Sequence, residues 1–71
     1  MMSQNQQEML RKLASICELS PTVRLGQLLS HLGFLAEDTF DRGLADVQDD
    51  ELLGVLQRHE AELARRHSNV A

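Results

Sequence analysis

Three histidines and one cysteine are the residues of this chain that could hold a metal or attack a substrate: His31, His59, His67 and Cys17. A zinc-binding helix places its ligands at i and i+4 or a similar offset, so that both point to one side. His59 and His67 are eight residues apart and diverge by about 80° on a helix. His31 and Cys17 belong to other segments. The spacing predicts neither a metal site nor a cofactor. Cys17 falls on an apolar stripe, where a thiol is a poor thiolate, and is expected to serve as a small core residue. His59 is expected as a partly buried helix residue bonded to a neighbour. The acidic run Asp46, Asp49, Asp50 and Glu51 lacks the alternating oxygen ligands and loop glycine of an EF-hand. It suits the start of a helix, where negative side chains meet the positive end of the dipole. With no nucleophile elbow, phosphate loop or dinucleotide fingerprint, no catalytic residue is expected.

Two further groupings lie on one segment. Arg24, Gln27 and His31, at i, i+3 and i+7, make a polar strip along an otherwise apolar helix. Arginine suits a partner's carboxylate, and glutamine and histidine supply directional hydrogen bonds, so the strip is a candidate partner contact. Beside it run Gly26, Ser30 and Gly33. Glycine inside a helix costs about 1 kcal/mol relative to alanine. A seam of small residues therefore predicts close approach of another helix, from this chain or from a second copy.

The elements that position these residues follow from the apolar spacing. Met9, Leu10, Leu13, Ile16 and Cys17 form one stripe and predict a helix over about 5–19. Ser20-Pro21 reads as its end and as the cap and first residue of a second helix over 21–36. Leu25, Leu28, Leu29, Leu32, Leu35 and Ala36 give that helix a broad apolar face, flanked by Val23 and Phe34, which predicts burial on more than one side. Residues 37–48 read as a connection whose Phe40, Leu44 and Val47 tuck over the core. Leu52, Leu56, His59 and Leu63 mark a third helix over 49–66, and residues 1–4 and 68–71 are expected to fray. The fold class is all-α: a compact three-helix domain with a buried central helix.

Composition bounds the partners. At 71 residues there is room for one domain, and a chain this short is marginally stable without disulfides, a metal or oligomerisation. A lone cysteine allows no internal disulfide and suits a reducing cytoplasm. That leaves the 13 leucines, self-association, or both. The net charge of −4 is concentrated: residues 37–51 hold seven acids against Arg42 alone. Such a surface repels phosphate backbones and anionic lipid. The longest run free of Asp, Glu, Lys and Arg, Leu25 to Ala36, is too short to span a bilayer. The N-terminus lacks the apolar run of a signal peptide. A recognition helix needs exposed basic or amide residues at its start, which the acid-led third helix lacks.

The block Pro21-Thr22-Val23-Arg24-Leu25-Gly26-Gln27-Leu28-Leu29, with Asp49-Asp50-Glu51-Leu52-Leu53 further on, resembles a group of short uncharacterised bacterial proteins. They share P-x-x-R-x-G-Q-L ahead of a leucine-rich helix and a later D-x-E-L-L segment. The likeness covers about half the chain and departs where members carry an aromatic at the Val23 position and asparagine at the His31 position. It implies a small bacterial helical protein and supplies no activity or polar site. The expected function is a non-enzymatic protein–protein interaction module whose partner is another protein or a second copy. The alternative is a small DNA-binding regulator.

Overall fold

The computed structural model describes residues 1–68, and all regular structure among them is helical: α1 (Gln4–Leu19), α2 (Leu25–Phe40) and α3 (Asp49–Ser68). α1 opens with a capping box: the Gln6 N–H donates to Ser3 Oγ and the Ser3 N–H to Gln6 Oε1, each at 3.1 Å. It closes at Ser20, whose N–H donates to the Ile16 carbonyl at 3.0 Å. Of the expected loose ends, Gln4 and Ser68 lie within helices, and residues 69–71 fall outside the described part.

α2 corrects the sequence expectation at both ends. Pro21 does not begin a helix. It takes the second position of a turn closed by the Val23 N–H on the Ser20 carbonyl at 3.1 Å, where the fixed φ of proline fits. A residue before proline is steered away from helical angles, and Ser20 sits at φ −132°, ψ 62°, so it ends α1 without capping α2. At its other end α2 runs one turn beyond Ala36. It stops at Asp41, which adopts the left-handed conformation (φ 57°, ψ 33°) and donates its N–H to Glu37 at 2.8 Å. The extra turn carries Phe40 onto the core.

The core is small. Ile16 of α1, Leu28 and Leu32 of α2, and Val55 and Leu56 of α3 form its buried cluster, and Ala36 is also fully buried. Cys17, Phe40, Leu44, Leu52 and Leu63 are half-buried against it, whereas Val47 is half-buried outside it. α1 and α3 make the most extensive helix pairing, while α2 rests chiefly on α3. Lys12 and Glu60 join α1 to α3 through an ion pair of 2.9 Å. In the connection, Arg42 lies over the Phe40 ring, 5.7 Å from its centre, and pairs with Glu51. The molecule measures 38 × 28 × 19 Å, two helices thick.

The central helix is therefore not buried all round. Leu28, Leu32 and Ala36, at i, i+4 and i+8, face the core, but Leu25 is 53% exposed, Leu29 41% and Phe34 69%. The cause is the pairing pattern. Because α1 and α3 satisfy one another, α2 has only one stripe covered.

Candidate interaction surfaces

The start of α2 decides the fate of the polar strip. Arg24 caps the helix with extended backbone, and its N–H donates to Gln27 Oε1 at 3.1 Å. Gln27 is thereby turned back on its own helix. The same device starts α3, where the Gln48 N–H donates to Glu51 Oε1 at 2.9 Å. A third-position Gln or Glu answers an orphan N–H in all three helices. Arg24 itself remains exposed.

His31 goes elsewhere. Its ring stands against that of His59 on α3, with centroids 4.9 Å apart and planes tilted by 57°. The pair lines a cleft of about 340 Å³ that also includes Asp38, Arg58, Glu62 and Arg66. Burial lowers the His59 pKa below its ordinary 6.5, and the neighbouring His31 and Arg66 add to this against an opposing pull from Glu62. Glu62 is itself engaged with Arg66 at 3.5 Å and Arg65 at 3.7 Å. The predicted strip is thus split into a capping pair and a histidine pair. Among the described residues no third His, Cys, Asp or Glu joins His31 and His59 in a metal-holding group. His59 could be placed on the inner stripe of α3 from its spacing with Leu56 and Leu63. Its meeting with His31 depends on how α2 crosses α3, which spacing does not encode.

The small-residue seam lies open within the chain. Gly26 and Ser30 are exposed, and a Cβ added at Gly26 would meet nothing within 4 Å. At Gly33 it would meet only Leu44 Cβ, at 3.9 Å, so a loop side chain and not a helix covers that end. Among the described residues no other helix makes the close approach expected along the seam. Next to the seam, Phe34 is exposed beside Glu37 and Asp38.

An apolar groove, which the spacing did not reveal, lies between α1, α2, the connection and α3. Its volume is about 460 Å³. Met9, Leu10 and Leu13 of α1 form one wall, Leu29 and Leu32 of α2 another, and Leu44, Leu52 and Leu56 the remainder. Gln6 is the only polar side chain among its described lining residues. Leu10 is 53% exposed, where the stripe of α1 had placed it in the core. The sequence signal was present: an apolar stripe on α1 and a leucine face on α2, together wider than the six buried residues could absorb.

Among the described residues no helix is long and apolar enough to cross a membrane. No protein-family model, curated protein or solved structure matches the chain.

Proposed function

We propose that the chain is a non-enzymatic protein–protein interaction module of the bacterial cytoplasm that acts by self-association, within the group of short helical proteins its Pro21–Leu29 block resembles. The observation that carries this reading is the open apolar groove, where leucines that a larger protein would bury stay at the surface. Exposed apolar ground of this kind marks interaction sites in small domains. The groove presents no nucleophile, acid or base among its described residues, which supports binding over chemistry. Oligomerisation would also supply what a 71-residue chain with one cysteine cannot draw from disulfides. Sedimentation equilibrium across micromolar concentrations tests the reading. A mass above the 8.0 kDa of the chain that rises with concentration is expected. A fixed 8.0 kDa species overturns it.

A further inference from the structure

The cleft where α2 crosses α3 has no part in the self-association reading. We infer that His31 and His59 together form a two-histidine site for one divalent transition-metal ion of the zinc, nickel or copper kind, joining α2 to α3. The site is independent of the groove and goes beyond the proposed function.

Each helix supplies one ligand, so spacing along either helix could not show the pair. Zinc lies about 2.0–2.1 Å from an imidazole nitrogen, which puts it about 3.2 Å from the ring centre. Two imidazoles at neighbouring positions on one ion therefore have centres about 4.6–5.2 Å apart. The centres of His31 and His59 are 4.9 Å apart. A bare aromatic contact has the same separation, so the surroundings decide between the two.

Those surroundings suit an ion. Neither ring is hydrogen-bonded to another described residue, and no described side-chain nitrogen is sealed from solvent without a partner. His31 is exposed and His59 half-buried, so both rings are reached from the cleft. The cleft, at about 340 Å³, has room for an ion and its waters. With no third His, Cys, Asp or Glu completing a cluster among the described residues, the remaining coordination falls to water. Asp38 and Glu62 balance Arg58 and Arg66 in the lining, so a cation meets no net positive charge there. The two carboxylates are also the kind of acceptor that supports metal-bound histidine and water from outside. Imidazole favours zinc, nickel and copper, whereas magnesium and calcium favour oxygen. The ion would meet a need as well. α2 rests chiefly on α3, and a structural metal is a usual supplement to the core of so short a chain.

The test titrates the full chain, stripped of metal by a chelator, with zinc, nickel and magnesium at about pH 7.5, where imidazole is neutral. Calorimetry gives affinity and stoichiometry, and circular dichroism gives the fold and the melting temperature. The expected result is one zinc or nickel ion per chain and a melting temperature raised by either metal. Magnesium should have no effect. His31→Gln and His59→Gln are each expected to weaken zinc binding by at least about tenfold. His67→Gln, which removes a histidine outside the pair, should leave it unchanged. His31 is exposed, so its variant keeps the test standing if His59→Gln fails to fold. No zinc binding by the wild type overturns the site, as does affinity retained in His31→Gln. Equal loss in His31→Gln and His67→Gln shows adventitious surface binding and overturns it too. One ion per two chains overturns a site complete within one chain. Failure on any of these counts leaves self-association untouched, and a monomeric chain leaves the metal site standing.

Discussion

At the scale of single residues, His59 sets the acid limit of stability. Burial, then His31 and Arg66, hold its pKa below 6.5, with Glu62 opposing; Asp38 and Arg58 line the same cleft. The unfolded chain therefore takes up this proton more readily than the folded one as pH falls, and stability falls with it. The contribution of neutral His59 is complete above pH 6.5 and is lost as pH drops toward its lowered folded value. Urea midpoints measured by circular dichroism are expected to hold steady from neutral pH to just above 6.5, then decline. In His59→Gln that decline disappears. In His31→Gln most of it remains, because burial is the larger cause. A second acid limb belongs to carboxylates below their ordinary 4.5. Glu51 is held down by the Gln48 N–H and Arg42, and Glu60 by the Ser15 hydroxyl and Lys12. At the alkaline end, Lys12 is raised above 10.5 by its hydrogen bond to Glu60, and that contribution is lost as pH climbs through the raised value.

At the scale of elements, α2 is the helix with most to gain from substitution. Asp41 holds the left-handed cap conformation that glycine adopts without steric cost, and it adds a negative charge at the negative end of the helix dipole. Asp41→Gly is expected to stabilise the fold by about 0.5–1 kcal/mol, read as a raised urea midpoint at unchanged slope. Gly26→Ala is expected to gain a similar amount, since the added methyl group meets nothing and the unfolded chain loses freedom. Sedimentation of Gly26→Ala discriminates as well: with the groove as interface its association is unchanged, whereas a seam contact would be wedged apart. These helices also show what the chain's pattern made legible. α1 and α3 could be placed within a few residues, α1 from its apolar stripe and α3 from its stripe together with the acids Asp49, Asp50 and Glu51 of its first turn. α2 was misplaced because Pro21 serves a turn as readily as a helix start, and because Asp41 ends a helix without glycine. The strip Arg24, Gln27 and His31 has helical spacing but no common fate. Gln27 answers a local N–H and His31 a neighbour across the helix crossing. Periodicity shows which face a residue occupies; what meets that face is decided by packing between elements.

At the scale of the whole molecule, the small core links stability to association. Among the described residues six buried side chains hold the three helices together, and Leu32 both sits among them and floors the groove. Truncating a buried leucine costs about 2–5 kcal/mol, against a total stability of about 5 kcal/mol for a small domain. Leu32→Ala is therefore expected to leave the isolated chain largely unfolded. Mass action changes that outcome if two copies fold together. A dimer gains about 1.4 kcal/mol for each tenfold rise in concentration, or about 0.7 kcal/mol per chain. For a domain of this size that raises the melting temperature by about 3–5 °C. Thermal melts of the wild type at two concentrations a decade apart are expected to show this rise. Leu10→Glu, which removes the contact but not a core residue, is expected to melt at one temperature whatever its concentration. In Leu32→Ala the rise should reappear as helical signal recovered at high concentration, because the open face and the thin core are two sides of one deficit. A Leu10→Glu melt that still shifts with concentration would mean that the copies meet elsewhere.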